Sequence, residues 1–280
     1  MAQLSVTPIT PSIGAEIDGI DLANDLHDPS IVASIRAAFL EHHVLVFRDQ
    51  ELSPEQHKDF ARRFGSLHIH PSQRRPGATG DPEIFVVEAD EKTVLNNGGL
   101  WHTDVSCDEI PPLGSMLLLT DAPADGGDTL FTNMHVAFET LSEPIRHMLE
   151  GLWAHHDQRQ DLRRYGHEPR AGVDYPSTRH PVVVAHPETG RPTLFVNAAF
   201  TTHIEGLSSA ESRAVLDLLY NHIAGNPVAQ CRVKWQPGTL TFWDNRSTQH
   251  YAVWDYFPQH RRGERVTISG ETRPKPASVV

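Results

Sequence analysis

The sequence predicts a mainly β fold with inserted helices, of the antiparallel sandwich or jelly-roll type. Short runs rich in Val, Leu, Phe and Thr recur along the 280 residues and are bounded by turns. Proline and glycine, present 21 and 19 times, punctuate the whole length. Few segments carry helix start signals, and no internal repeat or long linker divides the chain. We therefore expect a single domain over residues 1–280.

Four helices are predicted from their start signals. Asp28-Pro29 opens one apolar-periodic run, with proline at the first helical position. Capping boxes at Ser53–Gln56 and Ser208–Glu211 open two more. A fourth helix, broken near Pro144, is expected from about Met134 to Leu149.

The other periodic or apolar runs are predicted as strands, because they are short and lie between turn residues. They are His43–Arg48, Ile84–Glu88, Ser115–Thr120, Pro181–Ala185, Thr193–Asn197, Cys231–Trp235, Thr239–Trp243 and Arg265–Ser269.

Composition excludes several classes of partner. The formal net charge is −12 and no basic run stands out, so neither nucleic acid nor an anionic membrane is an expected partner. Cys107 and Cys231 form no Cys-x-x-Cys pair, which argues against a thiolate zinc site and favours two free thiols in a reducing compartment. Since no signal peptide or membrane-length apolar run is visible, we expect a cytoplasmic protein.

A His-x-Asp pair carries the first sign of a metal site. Residues two apart in a strand point to the same face, so His102 and Asp104 can bind one ion together. With a second imidazole, such a pair becomes the two-His-one-carboxylate set of non-haem iron(II) oxygenases. His250, which follows a predicted strand, is the candidate for that imidazole.

Other histidines compete for this role. His68 and His70 have the same strand spacing and could bind zinc by themselves, and His135 and His203 are isolated candidates. Arg261, eleven residues after His250, favours the first assignment, because an arginine can bind a carboxylate through two parallel hydrogen bonds, which suits a dicarboxylate cosubstrate.

Motifs spread over nearly the whole chain, from about residue 5 to 273, carry a family resemblance. They are Phe64-Gly65 with His68–Pro71, Trp101–Val105, Gly126–Leu130, His186-Pro187, Phe195–Asn197 with Phe200–Thr202, Trp243–Arg246, Thr248–Ala252, Asp255-Tyr256 and Arg261. In order and spacing the sequence resembles the TauD/TfdA family of Fe(II)/2-oxoglutarate dioxygenases, most of all its taurine-oxidising members. The resemblance implies a double-stranded β-helix core, jelly-roll or cupin-like, and a homo-oligomer, either dimer or tetramer.

The resemblance also implies a role for individual residues. His102, Asp104 and His250 match the iron ligands, which are also the catalytic residues. Arg261 matches the arginine that binds the distal carboxylate of 2-oxoglutarate, and Thr129 matches a hydroxyl donor to the same carboxylate.

The implied substrate pocket contains five more positions. Arg265 matches the arginine that binds the anionic group of a sulfonate, and His70 and Phe200 match pocket residues. Gln73 and Gly98 replace the Tyr and Asn that taurine enzymes typically carry there. These two departures predict that taurine is a poor substrate and that the preferred substrate has a different, larger shape.

The implied reaction uses Fe(II), 2-oxoglutarate and O2 to hydroxylate a small organic anion, such as an alkylsulfonate, with release of succinate and CO2. Alkyl sulfates and aryloxyalkanoates are alternative substrates in the same class. A metal-binding jelly roll without oxygenase activity is the alternative outside it.

Two neighbouring arginines test the strand register. Arg265 lies four residues after Arg261 and should share its face, whereas Arg262 should face the other way. Arg265 has a structural alternative, in which it pairs with Asp255 or Glu264 instead of binding an anion.

Overall fold

The computed structural model describes residues 4–74, 79–95 and 98–278. The helices in these ranges are α1 (Pro29–His42), α2 (Pro54–Arg62), α3 (Met134–Glu139), α4 (Glu143–Leu149), α5 (Gln158–Arg164) and α6 (Ser209–Ala224). The strands of the first half are β1 (Ser5–Pro8), β2 (Ala15–Asp18), β3 (Val44–Phe47), β4 (Leu67–His68), β5 (Ile84–Ala89), β6 (Gly114–Asp121), β7 (Thr129–Asn133) and β8 (Trp153–Asp157). The later strands are β9 (Ser177–Pro181), β10 (Val183–Ala185), β11 (Pro192–Leu194), β12 (Thr201–Ile204), β13 (Gln230–Val233), β14 (Leu240–Asp244), β15 (Thr248–Ala252), β16 (Arg261–Ile268) and β17 (Lys275–Pro276).

The largest sheet runs in the order β1-β2-β3-β14-β6-β16-β4, and β5 pairs with β16 as well. Apart from the parallel β2–β3 pair, its strands are antiparallel. A smaller antiparallel sheet has the order β13-β7-β15. Two further three-stranded sheets are β12-β8-β9 and β11-β10-β17. The prediction of a mainly β jelly-roll fold with inserted helices is confirmed.

The core packs the large sheet against the β13-β7-β15 sheet, and we call these two the principal sheets. One cluster joins residues of β3, β6 and β14 in the large sheet to Phe131 of β7 and Val233 of β13 in the small sheet, so the two sheets pack face to face. The opposite face of the large sheet is covered by α1 and α2, where Phe39 stacks on Phe242 with ring centres 3.9 Å apart. A further cluster joins α3 and α6 to β10 and β11.

The helices begin where their capping residues predict. Ser53 and Ser208 both form complete capping boxes, and the fourth predicted helix is interrupted before Pro144 to give α3 and α4. Helix α5 was not predicted. No helix in the described ranges is both long and apolar enough to cross a membrane.

Several strands differ from the predicted ranges. The run Pro181–Ala185 is divided at Val182 between β9 and β10, and Thr193–Asn197 shortens to β11. The strand predicted to begin at Arg265 begins four residues earlier, at Arg261. The charged stretch between these two residues is part of β16 because it pairs with β5 and β6. Strands β7 and β15 were also missed, although together they form the wall of the site described next.

Candidate active site

Three side chains converge between the two principal sheets. His250 lies in β15, and His102 forms an isolated antiparallel bridge with it, with backbone N–H···O distances of 3.1 Å and 2.8 Å. Asp104 lies two residues after His102 in the chain. The potential ligand atoms of these residues all lie within 4.8 Å of one another, and within the described ranges no other His, Cys, Asp or Glu group meets this condition. The competing histidine, His68, instead lies 2.9 Å from the carboxylate of Asp108.

Hydrogen bonds fix which atoms of the three side chains face each other. The Nδ1–H of His102 donates to the carbonyl of Leu100 at 2.7 Å, which leaves Nε2 as a lone-pair donor. Ser115 donates to Oδ2 of Asp104 at 2.8 Å, while Oδ1 lies 4.0 Å from Nε2 of His250. Two imidazole nitrogens and one carboxylate oxygen form a donor set that suits a divalent first-row metal such as Fe(II).

The charge states of Asp104 and His250 favour metal binding. Burial alone would raise the pKa of Asp104, but Arg265, together with His250 and His102, holds it well below its usual range. Burial keeps the pKa of His250 well below its ordinary value, so its imidazole is neutral at neutral pH. A deprotonated carboxylate and a neutral imidazole are the forms that bind metals.

The turn after His102 is strained. Val105 has a φ of +48°, an unusual value for a β-branched residue, so Asp104 begins a turn and does not continue an extended strand. Val105 is held there by packing with Cys107, Ala199 and Phe200. His102 and Asp104 therefore meet as their spacing predicts, but a bridge and a tight turn bring them together instead of a regular strand.

The three residues open onto a cavity of about 280 Å³. It is lined by nine of the ten residues predicted to form the site. Three of them are His102, Asp104 and His250, which we call the metal set, and the other six are His70, Gly98, Thr129, Phe200, Arg261 and Arg265. Gln73 is not among the lining residues. It lies in the turn after His70, and its N–H donates to the carbonyl of that residue at 2.8 Å.

Arg261 is buried without an acidic partner. Its side chain is only 5% exposed, and no ion pair links it to any described carboxylate. Its Nε–H donates to the carbonyl of Gly127 at 3.2 Å, and its guanidinium carbon lies 5.5 Å from the ring centre of Trp235. Burial lowers the pKa of Arg261. Burying a cation without a paired anion costs free energy.

Trp235 was not predicted as a site residue, although it ends a predicted strand. Its indole N–H donates to the hydroxyl of Thr129 at 2.9 Å. Because the Thr129 oxygen accepts that bond, its own hydrogen remains free to donate toward the cavity.

Arg265 contacts the metal set directly. Its Nη1 lies 2.6 Å from Oδ1 of Asp104, so the structural alternative that paired it with Asp255 or Glu264 is wrong. Glu264 pairs instead with Arg262 at 3.0 Å. Arg262 does not line the cavity, in agreement with the predicted alternation along β16. The Nε of Arg265 is buried and has no hydrogen-bond partner in the described part of the chain.

Gly98 lies beside His102 and has a φ of +85°. A Cβ at this position would lie 3.3 Å from Cε1 of His102 and 3.4 Å from the Cβ of Ala252, so a side chain here would crowd the site. The N–H of Gly98 donates to the hydroxyl of Tyr165 at 2.8 Å.

Helix α5 and the residues after it form a cavity wall that was not predicted. Asp161 and Leu162 of α5, with Tyr165 beyond its end, line the cavity. The helix sequence, QRQDLRR, is polar almost throughout and is therefore typical of a solvated surface helix.

The sequence and the fold were compared with known proteins. The profile of the family described as "Taurine catabolism dioxygenase TauD, TfdA family" matches residues 5–267. An alkylsulfatase from Acinetobacter baylyi is 38% identical over 96% of this chain and 86% of its own length. An alpha-ketoglutarate-dependent sulfate ester dioxygenase from Pseudomonas putida is 36% identical over 96% of this chain and 90% of its own length. The crystal structure of a taurine dioxygenase from Burkholderia xenovorans superposes with a TM-score of 0.81 at 37% identity, covering 98% of this chain and 93% of that one. The chain is therefore a 2-oxoglutarate-dependent dioxygenase of the TauD/TfdA family.

Proposed function

We propose that the chain binds Fe(II) through His102, Asp104 and His250, and hydroxylates a small organic sulfonate or sulfate ester. The observation that carries this proposal is the pair of arginines on β16. Arg261 and Arg265 both line the metal cavity, one without an acidic partner and the other on a metal ligand. Two anions, cosubstrate and substrate, are thus expected in one cavity.

The residues fit the metal. The Nε2 atoms and Oδ1 of Asp104 face each other, and Ser115 holds the second oxygen of that carboxylate. Oδ1 also accepts a hydrogen bond from Arg265, so metal binding would make this oxygen a shared ligand of the ion and the guanidinium, or release the arginine toward the substrate. When bound, Fe(II) with 2-oxoglutarate and O2 supplies the oxidising power that yields succinate, CO2 and a hydroxylated substrate.

Arg261, Thr129 and Trp235 form the proposed cosubstrate end of the cavity. A guanidinium can bind the distal carboxylate of 2-oxoglutarate through two parallel hydrogen bonds. The free hydrogen of the Thr129 hydroxyl adds a third donor. Trp235 covers one side of the guanidinium and limits access of water, which strengthens the charge pairing.

Arg265, His70 and Phe200 form the proposed substrate end. The pKa of His70 is lowered to about 3 by burial and by Arg265, so at neutral pH its ring offers a hydrogen bond but no charge. Arg265 is therefore the cation for a sulfonate or sulfate head group. The relatives named above as an alkylsulfatase and a sulfate ester dioxygenase support this class of substrate.

An oxygen-electrode assay tests the proposal. Purified protein with Fe(II) and 2-oxoglutarate is given butane-1-sulfonate, hexyl sulfate, taurine or phenoxyacetate, and O2 uptake and succinate are measured. We expect stoichiometric uptake with the alkylsulfonate or the sulfate ester and little with taurine. Absence of substrate-dependent uptake with every compound would overturn the proposed substrate class. A clear preference for phenoxyacetate would overturn the substrate class.

Domain organisation, assembly and location stay predictions. The large sheet supports one domain, since it joins β1 near the start of the chain to β16 near its end. Size-exclusion chromatography with light scattering measures whether the protein forms the expected dimer or tetramer.

A further inference from the structure

Asp161 places a negative charge in the wall of the cavity. It lies on α5, lines the same cavity as His102, and makes no hydrogen bond or ion pair through its carboxylate to any described residue. Burial raises the pKa of this carboxyl, while His102 and Arg164 act in the opposite direction. The side chain is thus partly removed from water without a partner of its own.

The three buried aspartates in the described ranges, and the nearly buried Asp108, have arginine partners. These pairs are Asp104 with Arg265, Asp244 with Arg246, Asp128 with Arg232, and Asp108 with Arg74. Withdrawing a carboxylate from water costs free energy unless a cation or hydrogen-bond donor compensates for it. For Asp161, the open side is the cavity, so the missing partner is expected on a ligand.

The two charged walls belong to different elements of the fold. Arg265 of β16 contacts Asp104, whereas Asp161 lines the same cavity from α5. Gly98 lies beside His102, and its N–H donates to the hydroxyl of Tyr165 in the segment that follows α5. Because Arg265 and Asp161 line one cavity, a bound molecule can extend from the cationic wall to the anionic one.

We propose that Asp161 is a specificity-determining residue that selects sulfonates or sulfate esters carrying an ammonium group at the end opposite to the anion. This inference rests on the proposed function, since it takes Arg265 as the partner of the anionic head. The carbon chain between the two charged ends then lies across the metal. Since Gln73 and Gly98 stand where taurine enzymes typically carry Tyr and Asn, we expect the fitting zwitterion to be longer than taurine.

A matched pair of ligands isolates the ammonium group. 3-Aminopropane-1-sulfonate and butane-1-sulfonate have chains of equal length and differ in a terminal ammonium or methyl group. Their dissociation constants are measured by calorimetry on protein loaded with Zn(II) and N-oxalylglycine, and kcat/KM is measured with Fe(II) and 2-oxoglutarate. We expect the wild-type protein to prefer the amino compound by about tenfold or more.

The Asp161→Asn variant removes the charge and keeps the size of the side chain. It should lose at least about tenfold of that preference, through weaker binding of the amino compound, while the dissociation constant of butane-1-sulfonate stays nearly unchanged. Glu168→Gln is the control, because Glu168 is an exposed carboxylate on the neighbouring segment that does not line the cavity.

Failure of the inference and failure of the proposed function give different results. If both sulfonates bind and turn over with a ratio that Asp161→Asn leaves unchanged, Asp161 does not read an ammonium group and the inference alone is overturned. If neither sulfonate binds the wild-type protein, the proposed substrate class is wrong and the inference is overturned with it.

Discussion

Replacing Arg261 by alanine should weaken 2-oxoglutarate binding without a matching loss of folding stability. The guanidinium is 5% exposed and has no acidic partner among the described residues, so the pair it forms with a bound carboxylate is shielded from water. Losing one partner of a buried charge pair costs about 2–5 kcal/mol, which corresponds to about a 30-fold to 4,000-fold rise in the dissociation constant. The Nε–H is already bonded to Gly127, and a bidentate pair with one carboxylate uses two of the four N–H groups that remain, so we expect about a hundredfold rise.

Folding stability should respond differently to the same substitution. The variant loses the packing of Arg261 on Trp235, but it also removes a buried cation that is unpaired without cosubstrate. The two effects have opposite signs, so we expect the free energy of unfolding to change by less than about 1 kcal/mol, the size of an average substitution. Calorimetry with 2-oxoglutarate on Co(II)-loaded protein and urea unfolding of the free protein measure the two quantities.

Two further variants make this prediction specific. Arg261→Lys should recover only part of the affinity, because an ammonium group cannot form two parallel bonds to one carboxylate. Arg262→Ala removes the neighbouring arginine, which pairs with Glu264 and faces away from the cavity, and should leave 2-oxoglutarate binding unchanged. The reasoning is refuted if Arg262→Ala weakens cosubstrate binding and Arg261→Ala does not.

Three other changes test the site and the core. Asp104→Ala should abolish specific Co(II) binding, since two histidines remain as ligands; a calorimetric affinity equal to the wild type would contradict the metal assignment. Burial lowers the pKa of His43 to about 3 and that of His135 to about 4, from an ordinary histidine pKa of 6.5. Below pH 6.5 the unfolded chain therefore binds more protons at these two histidines than the folded chain does. Stability should therefore be full above pH 6.5 and fall by up to about 1.4 kcal/mol per pH unit for each histidine toward pH 4; a flat series of urea unfolding curves would exclude this. Gly263→Ala would place a Cβ 2.9 Å from the carbonyl of Leu118, so we expect about 1–3 kcal/mol of destabilisation and lower turnover; an unchanged Tm would show that β16 and β6 can separate freely.

The elements that the sequence predicts well are those whose local chemistry agrees with their place in the fold. Ser53 and Ser208 form capping boxes, and the apolar runs of β3, β6 and β14 become core strands. Strand β15, with the sequence TQHYA, lacks an apolar pattern because its buried residues, Thr248, Gln249 and His250, are polar. The start of β16 was missed for the same reason, since its arginines are typical of a surface segment.

The convergence of His102, Asp104 and His250 could be predicted because the spacing and the family resemblance agree. Asp161 could not, because a single acid in the polar helix α5 is indistinguishable from a solvated one until the fold places that helix beside the cavity. Gln73 shows the opposite case. Its position in a motif suggests the pocket, but the turn after His70 does not place it among the lining residues.

Strand β16 holds Arg261 and Arg265 on one face and is paired on both sides, with β6 and with β5. An insertion or deletion of one residue between them would turn one of the two arginines out of the cavity, because successive side chains alternate faces. Relatives that keep both arginines in the cavity should therefore keep the same number of residues between them. New substrate preferences in such a lineage should arise by point substitution, and segments such as α5, which carry no metal or cosubstrate residue, are free to diverge first.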